Sequence, residues 1–350
     1  MKLPEKFRDE EELDEYLSRP SEAVVDLFRR LDGDLVVLGV AGKMGVHLAT
    51  MAKRAADIAD SEGGGGPERR VIGVARFSEA AARDRLERAG VETLNGDLLD
   101  SSQMEALPGA ANVVFMAGRK FGTSGEESST WASNVMMPGL VADKYRNSRI
   151  AAFSTACVYP FTPPHSGGSR EEDPPAPVGE YAWTALGRER IFDWNSRKRG
   201  TRVSLIRLSY SIDLRYGVLR DIAERVLAGR PVDLAVPCAN VIWQGDAVAQ
   251  ALLSLEFAAS PPFLLNVSGP ETLSVGRTAE AFGRAFGREC VFQGTEGPFA
   301  LLANTQRSAR LFGYPRVPLD TMIAWTADWV SRGLRSLDKP THFDSADGRF

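Results

Sequence analysis

Cysteine and histidine are both scarce, at three each in 350 residues. The cysteines (Cys157, Cys238, Cys290) are odd in number and lack metal-type spacing, so the chain reads as reduced rather than disulfide-stapled. The histidines (His47, His165, His342) lie far apart, and no metal site is expected. No apolar run approaches the ~18 residues of a membrane span. Residues 1–12 are charged and lack the apolar stretch of a secretory leader, so a cytoplasmic location is the expectation. An excess of one charge is also lacking. The formal net charge is -4 and the charges are mixed along the chain, which selects neither nucleic acid nor an anionic membrane as partner. What remains is a hydrophobic share of 43%, ordinary for a globular protein, and enough length for a large core.

Against that background one stretch organises the chain. Leu35-Val36-Val37-Leu38 runs into three glycines, Gly39, Gly42 and Gly45, and then into a helix through Ala49, Met51, Ala55 and Ile58. A strand apolar at every residue is buried on both faces, as in a parallel sheet. Glycines at a strand-to-helix turn allow a tight bend and let a ligand's phosphates approach the helix N-terminus. The spacing is G-x-x-G-x-x-G, not the commoner G-x-G-x-x-G, and a tight turn by itself needs no ligand.

Further strands are predicted at 71–75, 91–94, 113–117, 150–153, 203–208 and 263–267. Helices are predicted at 79–89, 129–145, 181–199, 222–227, 246–257, 278–286 and 319–334. This alternation predicts an α/β fold with a doubly wound, Rossmann-type parallel sheet, whose strand C-termini share one ligand-binding edge. Residues 1–33 read as a helical arm interrupted at Pro20, with Ser21 capping its second helix. Residues 34–208, completed by 263–269, form the expected dinucleotide-binding domain, and 209–350 form mainly a smaller, interwoven substrate lobe and a tail. Residues 61–67 and 161–177 read as surface loops, the second a candidate roof carrying His165. The tail from 341 to 350 is either unstructured or docked on a neighbour.

From about residue 34 to 332 the motif order resembles the extended short-chain dehydrogenase/reductase family, of the NAD-dependent epimerase/dehydratase type. Gly39, Gly42 and Gly45 look like its glycine turn, and Gly96-Asp97-Leu98 like its adenine-side element. Ser154-Thr155-Ala156-Cys157-Val158-Tyr159 resembles its Ser-(Ser/Thr)-x-x-Val-Tyr motif. Tyr181 stands where its Tyr-x-x-x-Lys begins, and Glu189 fits the same helix. Arg207, Asp246 and Asn266 lie in later elements that also match. The lysine position holds Ala185. A little-characterised bacterial branch of the family carries Gly-Lys-Met-Gly in the turn and likewise lacks that lysine.

The resemblance implies cofactor contacts at Gly39, Gly42, Lys43, Met44, Gly45, Arg76, Asp97, Leu98, Ala117 and Gly118. It implies catalysis by Tyr181, with hydroxyls from Thr155 and Ser154, during hydride transfer on a small hydroxylated substrate. Tyr159 is expected to pack rather than react. A homodimer is the family expectation. An acidic residue after the second strand suits the ribose of NAD, whereas arginine suits the 2′-phosphate of NADP. The residue is Arg76, Lys43 adds positive charge, and NADP is favoured over NAD. Ala239 stands where nucleotide-sugar members carry an arginine, so a sugar, sugar acid or polyol is expected instead.

A tyrosine with an ordinary pKa near ~10 needs a nearby cation to act as a base at neutral pH. Arg188 lies seven residues past Tyr181, ~10.5 Å along a helix on the same face, and Lys120 follows the fourth strand. Either can replace the lysine. The competing reading is a non-catalytic NADP(H)-sensing regulator or scaffold.

Overall fold

The computed structural model describes residues 3–62, 69–120, 122–123, 125–339, 341–345 and 348. Most of the 61–67 loop, and residues 346, 347, 349 and 350 of the tail, lie outside the described residues. Seven strands build the central sheet: β1 (Leu35–Leu38), β2 (Val71–Ala75), β3 (Glu92–Asn95), β4 (Asn112–Phe115), β5 (Arg149–Thr155), β6 (Arg202–Leu208) and β7 (Phe263–Val267). Their order is β7-β6-β5-β4-β1-β2-β3, parallel throughout. The helices in chain order are α1 (Glu10–Leu17), α2 (Glu22–Arg30), α3 (Gly45–Glu62), α4 (Ala80–Arg88), α5 (Ser101–Ala106), α6 (Glu127–Trp131), α7 (Met137–Lys144), α8 (Gly179–Arg199), α9 (Val218–Leu227), α10 (Gln244–Leu253), α11 (Val275–Phe286), α12 (Gln306–Phe312) and α13 (Leu319–Ser331).

Strand β1 shows why the sheet is doubly wound. Leu35 and Val37 pack into one core with α2, α3 and α10, while Val36 and Leu38 pack into the opposite core with α5, α7 and Phe192 of α8. Successive strand side chains point to opposite faces, so a strand apolar at every residue joins two layers. The strand order reverses between β1 and β4, and such a switch opens a crevice at the strand C-termini.

The helix expected over 129–145 is divided. α6 and α7 are joined by a π-helical turn, Ala132–Met136, in which Asn134 is buried. One extra residue per turn shifts the face that looks inward, and apolar spacing alone does not reveal it.

The second core brings the N-terminal arm against α9, α11 and α13. Phe7, Tyr16 and Trp243 surround Trp325 with ring centroids 4.9, 5.8 and 5.2 Å away. Ser21 caps α2 by accepting from Val24 N. Two-residue strands join this part, among them Ser211–Ile212 beside Ile242–Trp243. The described start of the tail docks on its own chain: Asp221 accepts from Thr341 N at 2.9 Å, Phe343 is buried, and Asp344 pairs with Arg225 at 2.6 Å.

Candidate active site

The three glycines of the turn do different work. Gly39 has φ +86, and a Cβ there would lie 2.6 Å from Ala117 N, so the ends of β1 and β4 touch at the switch point. At Gly45 a Cβ would overlap the Val40 carbonyl, so α3 can begin this close only with glycine. At Gly42 the nearest atom to a Cβ is Gly39 O at 3.4 Å, an ordinary contact. The fold therefore needs Gly39 and Gly45, whereas Gly42 leaves open backbone in front of an 18-residue helix. A helix N-terminus favours an anion, and the open backbone at Gly42 leaves room for one.

The other residues expected at the cofactor sit on the same edge. Arg76 is exposed at the end of β2. Asp97 follows β3 and accepts from Leu99 N at 2.9 Å, with Leu98 buried beside it. Ala117 and Gly118 follow β4, and a Cβ on Gly118 would overlap the Arg188 guanidinium. Lys43 departs from the sequence expectation. Its ammonium is buried, donates to Ser211 O at 3.2 Å and lies 3.9 Å over the Tyr216 ring. Its charge therefore serves a cavity deeper in the protein, while Arg76 stands in solvent.

That cavity, of about 210 Å³, is lined by Lys43 and Met44 of the glycine turn, Ser154 and Thr155 of β5, Lys120 and Tyr181. Thr155 Oγ1 accepts from Cys157 N at 3.1 Å, and the same hydroxyl hydrogen-bonds Tyr181. Capping and contact with the tyrosine thus coexist. Ser154 turns the other way and donates to Glu189 Oε1 at 2.6 Å. Glu189 is held by Arg207 at 2.7 and 3.0 Å, and Arg207 donates to the Tyr159 hydroxyl at 2.7 Å. Tyr159 in turn donates to Asn266 Oδ1 at 2.8 Å. Tyr159, Glu189, Arg207 and Asn266 form one buried network that anchors the β5 end.

Burial pushes the Tyr181 hydroxyl up to about 12; Cys157 adds to this, and Arg188 and Thr155 oppose it. Ala185 is buried in a small apolar cluster with Tyr159 and Leu186. Arg188, midway along α8, is fixed by bonds of its own. It donates to Phe153 O at 2.7 Å and Asn134 Oδ1 at 2.8 Å, and lies 5.6 Å over the Phe115 ring. Its Nε has no hydrogen-bond partner among the described residues. Asn134 also accepts from Arg119 N at 2.8 Å and donates to Thr184 Oγ1 at 2.9 Å.

Asn134 has no part in the sequence reading, because a lone asparagine in a predicted helix carries no signal without the π turn. Tyr210, Ser211, Tyr216 and Thr341 also line the cavity unforeseen. A Tyr-Ser pair after an apolar strand is the only hint the sequence holds. The arm contributes as well. Asp14 of α1 reaches His47 at 2.7 Å, Arg85 at 2.6 Å and Arg215 at 2.9 Å, tying the arm to α3, α4 and the cavity loop.

Among the described residues, no group of three or more His, Cys, Asp or Glu side chains could hold a metal, and no helix is long and apolar enough to cross a membrane. No protein-family model matches the sequence, and no curated protein matches it. Solved structures do share the fold. UDP-glucuronic acid 4-epimerase from Bacillus cereus in complex with NAD superposes with TM-score 0.67 at 17% identity, over 85% of this chain and 99% of that one. UDP-glucose 4-epimerase from Thermotoga maritima with UDP-glucose gives 0.66 at 17%, over 86% and 99%. Pal from Bacillus thuringiensis gives 0.68 at 15%, over 85% and 99%. At such identities the likeness establishes the fold: a Rossmann-type α/β architecture shared with these three structures.

Proposed function

We propose that this chain is a nicotinamide-dinucleotide-dependent oxidoreductase or epimerase acting on a small hydroxylated substrate. The observation that carries this reading is the Thr155–Tyr181 hydroxyl pair, which opens into the same cavity as Lys43 and Met44 of the glycine turn. Gly42 and the α3 N-terminus would hold the pyrophosphate. Asp97 would lie on the adenine side. Bound there, the nicotinamide would give or accept a hydride. Tyr181 is protonated at neutral pH, since burial raises its pKa. It is thus set to give its proton to a carbonyl oxygen as that carbon takes the hydride. Thr155 holds the tyrosine in place and hydrogen-bonds the reacting oxygen, and Ser154 positions the strand end through Glu189. Arg188 supplies the cation absent at Ala185.

NAD and NADP both suit this site. The two epimerases above carry NAD or a UDP-sugar in their names. We favour NADP for this chain because Arg76 occupies the ribose-reading position. We favour a substrate without a nucleotide because Ala239 is buried in a short strand pair with Leu273. A homodimer belongs to the same reading: Trp131, Met136, Trp183 and Trp194 are all exposed around α6, the π turn and α8.

The test is a titration of NADPH and NADH by fluorescence, followed by a screen of sugars, sugar acids and polyols at the nicotinamide absorbance. Binding with turnover supports the enzyme. Binding without turnover of any substrate would favour the sensor instead.

A further inference from the structure

The cavity has one wall that neither the sheet nor the helices supply. Its other lining residues fall between Lys43 and Leu301, but Thr341 comes from beyond α13. From Arg332 onward the described residues form no helix or strand. Discrete contacts hold this stretch to the body instead of a hydrogen-bond ladder.

Those contacts reach the two helices whose N-termini border the cavity, α8 with Tyr181 and α9 with Val218. Asp221, in the first turn of α9, accepts from Thr341 N at 2.9 Å and from the Thr341 hydroxyl at 2.5 Å. Asp344 pairs with Arg225, near the other end of α9, at 2.6 Å. Phe343 lies between them in sequence and is buried in the second core. Gly348 meets α8, because a Cβ on Gly179 would lie 2.3 Å from the Gly348 carbonyl oxygen. Gly179 is the first residue of α8, two before Tyr181.

A wall held this way can open while the sheet stays intact. Segments with few buried apolar contacts open locally at free energies well below that of global unfolding. The apolar anchor here is Phe343. The Arg225 and Asp344 side chains are 29% and 21% exposed, and partly exposed ion pairs hold weakly. The closed cavity also needs an entrance. At about 210 Å³ it is smaller than a typical drug-sized pocket of ~300–1,000 Å³.

From this arrangement we infer that the stretch carrying Thr341, Phe343 and Asp344 is the opening wall of the substrate cavity. Closed, it restricts the site to small molecules. Released from α9, it lets them in and out. The inference rests on the proposed site for what the cavity holds, but opening is measured without turnover.

The test uses Cys157, which lines the cavity, as reporter. Cys238, packed in a separate small cluster with Val236 and Leu302, is the reference in the same molecule. The full chain, a chain ended after Lys339, and Asp344→Lys are each treated with small iodoacetamide and with bulky fluorescein maleimide. Peptide mass mapping gives the ratio of Cys157 to Cys238 labelling for each reagent. In the full chain the bulky reagent should give much the lower ratio. Ending the chain after Lys339 should raise the bulky-reagent ratio at least about tenfold and the iodoacetamide ratio far less, since the wall is gone. Asp344→Lys sets like charges together at Arg225 and keeps Phe343, and it should raise the bulky-reagent ratio about threefold. If the shortened chain does not fold, shown by Cys238 reacting as fast as in urea, Asp344→Lys decides alone. A bulky-reagent ratio that the folded variants leave unchanged overturns the inference. So does a gain shared equally by the two reagents, because a wall discriminates by size. Size-dependent opening without turnover of any substrate leaves this inference standing and removes the proposed enzyme.

Discussion

Arg188 Nη2 donates to Asn134 Oδ1 over 2.8 Å, and this bond holds a cation that opposes the rise of the Tyr181 pKa. Tyr181→Phe should abolish turnover and leave dinucleotide affinity nearly intact, since it deletes one oxygen and little volume. Arg188→Met should move the basic limb of the pH–rate profile upward, because a positive neighbour stabilises tyrosinate and its loss raises the pKa further. Ala185→Lys in that background should move the limb back down. A limb that ignores all three changes would remove Tyr181 from the mechanism.

The glycine turn permits a paired experiment. Gly42→Leu should leave the melting temperature nearly unchanged and abolish NADPH binding, because its Cβ has room and only an incoming phosphate is blocked. Gly45→Ala should instead destabilise the fold by about 2 kcal/mol or more, because its Cβ overlaps a backbone carbonyl. Undiminished NADPH affinity in Gly42→Leu would place the cofactor elsewhere.

Arg76→Asp should weaken NADP and spare or improve NAD, since a carboxylate repels a 2′-phosphate and accepts from ribose hydroxyls. The measurement is the ratio of the two dissociation constants. A ratio that stays fixed shows that Arg76 does not choose.

Although burial pushes its carboxyl up, the His47, Arg215 and Arg85 partners hold Asp14 far below the ordinary range. A depressed native pKa stabilises the fold above the unfolded value near ~3.9 and is lost as pH falls toward the native value. Asp14→Asn should thus cost on the order of 2 kcal/mol at pH 7 and progressively less below pH ~4. Urea melts at pH 7 and pH 3 check this, and an equal loss at both would mean that the charge is irrelevant.

Trp183 and Trp194 are 53% and 57% exposed on α8. Eleven residues apart, they share one helix face. Trp183→Glu should shift a dimer to a monomer in light scattering after size exclusion. A wild type that is itself monomeric refutes the dimer outright.

The bounds of β1, β2 and β7 coincide with the sequence expectation; β1 and β2 are interior strands of a parallel sheet and leave unbroken apolar runs, and β7, at the other edge, is a short apolar run whose last three residues are buried. β3 sits at the sheet edge with Glu92 and Asn95 exposed, and its predicted start is one residue early. The glycines of the turn are legible because a motif lies in contiguous chain. The destination of Lys43 is not, because its acceptor Ser211 is 168 residues away. Asn134 is hidden for a different reason: the π turn that aims it inward changes no residue type. Arg188 is legible only as one of two candidates with Lys120, and its buried bonds to Phe153 and Asn134 show in the fold alone.

The pairing of the arm with α13 sets an order of events during synthesis. Trp325 Nε1 donates to Pro4 O at 2.9 Å, and Arg332 donates to Arg8 O at 3.1 Å, so these early residues are finished by residues made more than 300 positions later. Until position 325 has cleared the ribosome, Phe7, Tyr16 and Trp243 lack the ring that covers them. Phe7 and Tyr16 therefore wait uncovered until Trp243 and then Trp325 are made, the kind of surface that holdase chaperones bind. A mutation or truncation that trims α13 would expose it permanently, turning a stability defect into an aggregation defect.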